Sequence, residues 1–340
     1  MRILVCTAQV PFVRGGAEML AEGLRDALNA QGHTAELVAL PYKWYPKPEI
    51  FKSALAWRLL DLTESNGVRV DRVIATKFPS YAVRHPHKVV WLVHQLRQAY
   101  DWYGTPLSDF APTDHAAREQ LFELDRRTLG EAQARFAISR NVAARLERFN
   151  GLAATPLYPP PRLAGRFRAG EYGDYILYIG RLDRAKRVDL LLQALAGLKN
   201  GRAIIAGTGP ELSNLQNLAR ACHLTGRVEF AGYVDDARAI DLYANARAVF
   251  YAPVDEDYGF ATVEALMSAR PVITTDDAGG VLEFIQDEAT GLVTAPKPAP
   301  LSAAFARVLS DAARCREWGC AGQEQVRGIT WDNVVEKLVG

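Results

Sequence analysis

Continuous apolar runs alternate with amphipathic helical patterns along the first half of the chain. A run such as RILVCT (2–7) lacks polar alternation, which is typical of a strand covered on both faces in a parallel sheet. The segment that follows carries Leu20, Leu24 and Leu28 on one helical stripe and ends at Gly32. Strands are predicted at residues 2–7, 35–40, 72–76, 89–94 and 134–139, with a helix after the last one through Asn150.

The same alternation restarts after a segment rich in Pro, Gly, Arg and Tyr (158–175), whose composition predicts a linker. Strands are predicted at residues 175–180, 202–207, 228–232, 248–253 and 271–275, and helices at residues 186–198, 210–222, 236–245 and from about 259. From about residue 299 only helical patterns remain. A second α/β domain of Rossmann type is the simplest interpretation.

A chain of 340 residues is longer than one hydrophobic core usually supports, so two domains are expected. We predict Rossmann-like domains at residues 1–160 and 161–325, and a C-terminal helix at residues 326–340 that packs back toward the first domain. The predicted fold class is α/β, with two doubly wound domains facing across a cleft. The carboxyl ends of both sets of strands would line that cleft, where ligands bind in such sheets.

Composition excludes more functions than it selects. Apolar residues make up 49% of the chain and charged residues 23%, as in ordinary globular proteins. The formal net charge of +1 gives no reason to expect a nucleic-acid partner. No apolar run predicts a membrane span, and the four cysteines show neither zinc-ligand spacing nor a disulfide framework. A cytoplasmic location is therefore expected, and peripheral contact with the inner face of the membrane stays open.

Two cations follow the first strand of the second half. Arg181 comes directly after the strand that ends at Gly180, and Lys186 is placed at the next helix start. A forked guanidinium and a compact ammonium near helix N–H groups suit a diphosphate. The alternative is a solvated helix start that Asp183 neutralises.

Two glutamates occur in the stretch PVDEDYGFATVEAL, at Glu256 and Glu264. Acidic residues in a first helical turn are favoured by the helix dipole, which would explain them without any ligand. The alternative is that this helix start faces a ligand that carries hydroxyls and phosphates.

The second half resembles the retaining glycosyltransferases of family 4, which have the GT-B fold. The matching residues are Gly180-Arg181-Leu182, Lys186, Gly207-x-Gly209-Pro210, Phe230-x-Gly232-Tyr233-Val234, Glu256-x7-Glu264, Pro271-Val272, Gly279-Gly280-x-x-Glu283, TGLV at 290–293 and Trp331. The first half matches more loosely, through GGAE at Gly15 to Glu18 and a strand that ends in His94.

The resemblance implies four catalytic residues. Arg181 and Lys186 would hold the diphosphate and stabilise charge on the leaving group. Glu256 would hold hydroxyls of the donor sugar, and His94 would lie against the transferred sugar.

The resemblance also implies residues that bind the donor. Glu264 would accept hydrogen bonds from ribose hydroxyls, and Tyr233 would border the base. Gly15 and Gly16 would let the backbone approach the phosphates, because glycine has no Cβ. The complete set is Gly15, Gly16, Gly209, Tyr233, Gly259, Phe260, Ala261 and Glu264.

No essential metal or other cofactor is expected. DED at Asp255 to Asp257 imitates a metal motif of the other glycosyltransferase fold, but it lies within the glutamate pair. His85 and His87 have no carboxylate or cysteine partner nearby in sequence, so a surface turn is the preferred interpretation.

The first half is expected to bind the acceptor, which is a glycan, a lipid-linked molecule or a small molecule. Segment 41–60 interleaves four cations with four aromatic residues, a pattern that suits an anionic membrane surface. The same pattern also suits a loop and helix that pack on their own domain.

The resulting hypothesis is retaining, metal-independent transfer of a hexosyl group from a UDP- or GDP-sugar, in bacterial polysaccharide or glycolipid synthesis. A non-catalytic nucleotide-sugar-binding subunit is the first alternative. An NAD-dependent oxidoreductase is disfavoured, because VRGGAEML lacks the G-x-G-x-x-G pattern after the first strand.

Overall fold

The computed structural model describes residues 1–13 and 15–340. Two compact units are present. The first comprises Met1–Arg162 together with Ile329–Gly340, and the second comprises Leu163–Gly328. The sequence placed the boundaries after residues 160 and 325.

Strands and helices alternate through most of both units. The strands are β1 Arg2–Gln9, β2 Thr34–Pro41, β3 Glu64–Ser65, β4 Val68–Arg69, β5 Arg72–Ala75, β6 Lys88–Leu92, β7 Ala134–Ala137, β8 Thr155–Pro156, β9 Tyr175–Ile179, β10 Arg202–Ala206, β11 Val228–Gly232, β12 Ala248–Phe250, β13 Val272–Thr275 and β14 Gly291–Thr294. The helices are α1 Gly16–Ala30, α2 Pro48–Leu59, α3 His115–Gly130, α4 Arg140–Asn150, α5 Val188–Ala196, α6 Leu212–Ala221, α7 Asp236–Asn245, α8 Phe260–Met267, α9 Pro298–Ser310, α10 Ala312–Gln325 and α11 Trp331–Val339.

The first unit is built on a six-stranded sheet in the order β2-β1-β5-β6-β7-β8, with β3 and β4 forming a separate hairpin. Every pair in the large sheet is parallel. Val5, Cys6 and Ala8 of β1 are fully buried. Because neighbouring residues of a strand point to opposite faces, this sheet is covered on both sides.

The second unit has a six-stranded parallel sheet in the order β11-β10-β9-β12-β13-β14. The chain builds outward from β9 through β10 and β11, then returns to the other side of β9 with β12. This is the doubly wound order, and its topological switch point lies between β9 and β12. The two six-stranded parallel sheets confirm the predicted α/β class of two doubly wound domains.

The last helix belongs to the first unit. The ring of Trp331 lies at 84° to that of Trp91, with centroids 6.2 Å apart. A Cβ on Gly23 of α1 would lie 2.5 Å from the Trp331 ring, so glycine allows this close approach. Arg72 Nη1 donates a hydrogen bond of 2.6 Å to Leu338 O.

Three expectations about elements need correction. The helix predicted from residue 186 begins at Val188, because residues 184–186 form a 3-10 turn and Arg187 has a left-handed backbone with φ 50°. The C-terminal helix predicted at residues 326–340 begins at Trp331, since residues 326–330 separate α11 from α10. The linker is fixed to the second unit near Gly170, whose carbonyl accepts a 2.7 Å hydrogen bond from Arg270.

No helix within residues 1–13 and 15–340 is long and apolar enough to cross a membrane.

Candidate functional site

The loops that follow β9 and β12 meet at the switch point of the second sheet. Their strands are neighbours in the sheet although two other strands lie between them in sequence. Val254 N donates a hydrogen bond of 2.8 Å to Ala185 O, which joins the two loops through their backbones. Side chains on both loops therefore come together where doubly wound sheets bind their ligands.

Lys186 and Glu256 form an ion pair between these loops. The Lys186 ammonium also donates to the Tyr251 hydroxyl at 3.1 Å, and that hydroxyl donates to Glu256 Oε2 at 3.0 Å. Burial acts to lower the pKa of Lys186, but the Glu256 carboxylate outweighs it, so the pKa lies above its ordinary value. Lys186 is therefore a permanent cation at neutral pH.

Arg187 joins the same loops from the other side. Its Nε donates to Ala252 O at 2.8 Å, and its Nη2 donates to Thr275 Oγ1 at 2.8 Å. Both terminal nitrogens also reach the Asp277 carboxylate at 2.7 Å. Partial burial opposes ionisation of Asp277, yet the Arg187 guanidinium brings the pKa of this carboxyl below its usual value. The loops after β9, β12 and β13 are thus held together by one guanidinium.

Glu264 lies on the fifth residue of α8, and the first turn of that helix contains no acidic residue. The helix-dipole explanation therefore does not apply to it. The Tyr243 hydroxyl donates a hydrogen bond of 2.7 Å to Glu264 Oε2. Burial, with the nearby Glu264 carboxylate, raises the pKa of Tyr243 well above its ordinary value, so Tyr243 retains its proton.

The residues before Glu264 form the start of α8. Gly259 caps the helix with a φ of 85°, a left-handed conformation that favours glycine. A Cβ there would lie 2.9 Å from Val281 Cγ2 and 3.0 Å from the Tyr251 ring. Phe260 is half-buried as the first helical residue, and Ala261 is buried.

Arg181 lies at the surface at the start of the β9 loop. Its side chain is 62% exposed, and its Nε is 3.8 Å from Asp183 Oδ2. Its carbonyl accepts a hydrogen bond of 2.8 Å from the Tyr178 hydroxyl. The backbone at Arg181 is therefore fixed, while the guanidinium extends into solvent.

Glycines allow the turns after β9 and β10 to pack in direct backbone contact. A Cβ on Gly207 would lie 1.8 Å from Gly180 O, and one on Gly209 would lie 2.2 Å from Leu182 O. Gly207 N donates to Gly232 O at 2.7 Å, so the end of β11 is also joined to these turns. Tyr233 follows directly and is 82% exposed.

The predicted residues of the first unit lie at the carboxyl ends of its own strands. Gly15 precedes α1, and its N–H donates to Glu18 Oε2 at 2.9 Å. Gly16 is the first residue of α1. Glu18 also pairs with Lys77, which follows β5. His94 follows β6, and its Nδ1 lies 2.8 Å from Gln95 O.

Four residues of the second-unit cluster were missed in the sequence: Tyr243, Tyr251, Arg187 and Asp277. Tyr251 directly follows a strand, and Arg187 neighbours Lys186, so position along the chain offered a weak signal. Tyr243 and Glu264 are 21 residues apart, and Arg187 and Asp277 are 90 residues apart. Tyr251 is only five residues from Glu256 but 65 residues from Lys186. The order of the strands brings the distant partners together.

Potential metal ligands are dispersed. The structure describes no group of three or more His, Cys, Asp or Glu side chains arranged to hold a metal ion within residues 1–13 and 15–340. His85 and His87 contact one another through a backbone N–H and a ring nitrogen 3.0 Å apart. His85 is buried, whereas a surface turn was expected.

The second unit matches a known protein family. Residues 166–325 match the family model of the Glycosyl transferases group 1. This segment contains the Lys186–Tyr251–Glu256 cluster and Glu264. The match supports the resemblance seen in the sequence at the level of group 1 glycosyltransferases.

Curated relatives align over about half of the chain. An uncharacterized glycosyltransferase of Methanocaldococcus jannaschii is 29% identical over 175 residues, which are 48% of this chain and 43% of that protein. A D-inositol 3-phosphate glycosyltransferase of Salinispora tropica is 27% identical over 183 residues, which are 50% of this chain and 38% of that protein. The aligned segment therefore spans less than half the length of either relative.

Solved structures match the complete fold. Sucrose-phosphate synthase of Thermosynechococcus elongatus superposes with a TM-score of 0.75 at 20% identity, covering 100% of this chain and 98% of that chain. Anabaena HepE, solved in complex with UDP and glucose, gives a TM-score of 0.75 at 16% identity and the same coverage. The fold is that of the GT-B glycosyltransferase structures.

Proposed function

We propose that this protein is a glycosyltransferase that binds a nucleotide-diphosphate sugar at the carboxyl edge of its second sheet. One observation carries the proposal. The switch point brings together a permanent cation, Lys186, and a carboxylate, Glu256, through the buried Tyr251 hydroxyl. A second carboxylate, Glu264, lies on α8, the helix that begins four residues after Glu256. A diphosphate sugar presents both an anion and hydroxyl donors to such a site.

Each side chain takes the role that its chemistry suits. Lys186 and the exposed Arg181 would contact the diphosphate, while Glu256 would accept hydrogen bonds from sugar hydroxyls. Glu264, held by Tyr243, would accept from the ribose, and the exposed Tyr233 would lie beside the base. In the first unit, the Gly15–Gly16 backbone and His94 would contact the donor phosphates and the transferred sugar respectively.

The proposed reaction retains the anomeric configuration. The bond between the anomeric carbon and the diphosphate oxygen breaks, and the acceptor oxygen bonds to that carbon on the same face. The acceptor proton passes to the departing phosphate oxygen. Lys186 and Arg181 stabilise the charge that develops on this leaving group, so the mechanism requires no metal.

We propose UDP or GDP as the nucleotide and a hexose as the sugar. The UDP-bound structures of Anabaena HepE, which shares this fold, favour UDP as the first compound to test. A glycan or lipid-linked acceptor would bind the first unit, as in bacterial polysaccharide or glycolipid synthesis. The cysteines are free, which suits a reducing cytoplasm.

Helix α2 supports peripheral contact with an anionic membrane surface. Leu55 and Leu59 are 56% and 75% exposed, and the exposed Lys52 lies on the same helix. Apolar side chains flanked by lysine suit the interface of an anionic bilayer. Sedimentation with phosphatidylglycerol vesicles should carry down the wild-type protein and not Leu55→Glu/Leu59→Glu. Equal sedimentation of both proteins would remove this contact from the proposal.

Binding of UDP and GDP, measured by calorimetry, tests the proposed site. Glu264→Ala should weaken nucleotide binding about tenfold or more, because a hydrogen bond to a charged group contributes about 1.5–3 kcal/mol. Glu229→Gln, an exposed position on β11, is the matched control and should bind as the wild type does.

Three results would change the conclusion. If the wild-type protein binds neither nucleotide, the proposal is wrong. Binding of NAD instead would indicate an oxidoreductase. Binding of UDP-sugars without transfer or hydrolysis would indicate a non-catalytic subunit.

A further inference from the structure

Within the Lys186–Tyr251–Glu256 cluster, Tyr251 contacts both charged residues and carries no charge itself. It is the first residue after β12 and is only 6% exposed. Its hydroxyl lies 3.1 Å from Lys186 Nζ and 3.0 Å from Glu256 Oε2.

The ring of Tyr251 is fixed by its neighbours. The Tyr178 ring stacks at 25° with centroids 6.5 Å apart. Gly259 lies so close that an added Cβ would be 3.0 Å from Tyr251 Cε1. A buried ring with these neighbours has little rotational freedom, so its hydroxyl occupies a defined position between the two charges.

The direction of each hydrogen bond follows from chemistry. An ammonium has only donors, so the Tyr251 oxygen must accept from Lys186 and its proton must go to Glu256. Burial, reinforced by the Glu256 carboxylate, holds the pKa of Tyr251 well above its ordinary value, which keeps that proton in place. The hydroxyl therefore orients both partners at once.

We infer that Tyr251 is a positioning residue for sugar transfer, which aligns Lys186 with the leaving diphosphate and Glu256 with the donor sugar. The inference rests on the proposed function. It also predicts a separation of effects, because the phenol itself touches neither nucleotide nor ribose in this assignment. Losing its hydroxyl should impair the reaction much more than donor binding.

Tyr251→Phe tests this inference, since it removes the hydroxyl and keeps the ring. The assay is release of UDP from UDP-glucose in the absence of acceptor, with GDP-mannose as the second donor. We expect kcat to fall about tenfold or more while the donor KM changes less than about threefold. Tyr175→Phe is the matched control, because it removes another buried hydroxyl, which donates to Leu242 O at 2.8 Å. It should leave both constants unchanged.

Tyr251→Phe and Tyr175→Phe can also be compared by the chemical reactivity of Lys186, which requires no catalytic activity. Loss of the hydroxyl removes an acceptor from the Lys186 ammonium, so acetylation of Lys186 by acetic anhydride should become faster in Tyr251→Phe and not in Tyr175→Phe. Mass spectrometry of the Lys186 peptide measures the rate. This readout does not depend on the identity of the donor.

The outcomes separate the two proposals. Unchanged kcat and unchanged Lys186 acetylation in Tyr251→Phe, with an active wild type, would refute the positioning role. A rise in KM at constant kcat would assign Tyr251 to donor binding instead. No UDP or GDP binding by the wild type, together with faster acetylation in Tyr251→Phe, would reject the proposed function but keep the contact between Tyr251 and Lys186.

Discussion

Lys186 and Glu256 neutralise each other in an ion pair. This arrangement keeps the ammonium inside a partly buried site without an uncompensated charge, which would be costly. A diphosphate arriving at this site would share an ammonium already held by Glu256 and Tyr251. In the proposed reaction, the pair would respond to charge on the leaving group more than it would provide binding affinity.

Lys186→Ala should lower turnover far more than donor affinity. Removing one preorganised donor to a developing negative charge typically reduces kcat by about 10²–10³. Steady-state kinetics with the preferred donor measures both constants. Lys199→Ala, at an exposed position in the same unit, is the control and should match the wild type. Equal losses in turnover and affinity would contradict the leaving-group role.

Asp125 gives the first unit a stability that depends on pH. It is fully buried, and its Oδ2 accepts a hydrogen bond of 2.7 Å from the Tyr100 hydroxyl. Burial raises the pKa of Asp125 to about 7, although Tyr100 and Tyr81 act in the opposite direction. The folded state therefore binds a proton that the unfolded state releases above about pH 4.

The free energy of unfolding should consequently fall as pH rises from about 4 to about 7 and then level off. Asp125→Asn lacks this ionisation, so its free energy of unfolding does not share this fall. The free energy of unfolding of the variant should therefore rise relative to that of the wild type between about pH 5 and about pH 8. Urea unfolding at these two pH values measures the change. A difference that does not vary with pH would show that Asp125 stays ionised in the folded protein.

The sequence identified the residues proposed to contact the donor but not the residues that fix them in place. Lys186, Glu256 and Glu264 were identified because they match the motif that the second half shares with a known family. Tyr251 contacts Lys186 across a separation of 65 residues, and Arg187 contacts Asp277 across 90. Such contacts depend on the strand order and the loop paths, which local patterns do not contain.

At the scale of elements, the glycine turns of the second sheet are determined by close backbone packing. Gly207 combines a φ of 141° with a position where a Cβ would meet Gly180 O at 1.8 Å. Neither condition tolerates another residue without movement of the turn. The turn after β10 therefore depends on glycine for space as well as for conformation.

Gly207→Ala should lower the free energy of unfolding of the second unit by several kcal/mol, a cost typical of steric overlap in a packed region. Gly226→Ala separates the two causes, because Gly226 has a φ of 80° and open space around it. That control should lose only about 1–2 kcal/mol. Equal losses in the two variants, measured by denaturant unfolding, would remove the steric explanation.

Element prediction succeeded where apolar patterns were continuous and was incomplete elsewhere. All ten predicted strands are present, with shifted ends in most cases. Strand β14 was missed because it has only four residues and begins at a glycine, which gives a weak strand pattern. Its pairing with β13 stabilises the extended conformation that the local sequence does not specify. The break before α11 follows from Thr330, whose Oγ1 caps the helix by accepting from Asn333 N at 3.3 Å.

At the scale of the whole molecule, the first unit depends on a distant part of the chain. Trp331 fills the space above Gly23 and contacts Trp91, so α11 completes the packing of residues from β6 and α1. The stability of that unit should therefore respond to changes in the last helix.

Trp331→Ala should destabilise the first unit by about 3 kcal/mol, as expected for a large aromatic removed from a packed contact. Hydrogen exchange followed by mass spectrometry can report the two units separately. Exchange should become faster in β1 and β6 and should be unchanged in β9 and β10. Asp332→Ala, which removes an exposed contact with Gln31, should change little. Uniform acceleration across both units would contradict this assignment.

The two-domain organisation was accessible from the sequence because the alternation of strands and helices stops and restarts. The packing of the last helix on the first unit does not follow from any local pattern of the sequence. The reason is that the Trp331 ring packs against Gly23 and Trp91, which lie far earlier in the chain.

The membership of α11 in the first unit also has a consequence for dividing the protein into fragments. Residues 329–340 belong to the first unit although the whole second unit, Leu163–Gly328, lies between them and Arg162 in sequence. A fragment cut after Arg162 would therefore leave the surface around Gly23 uncovered, and a separate peptide of residues 329–340 would supply the Trp331 ring that covers it.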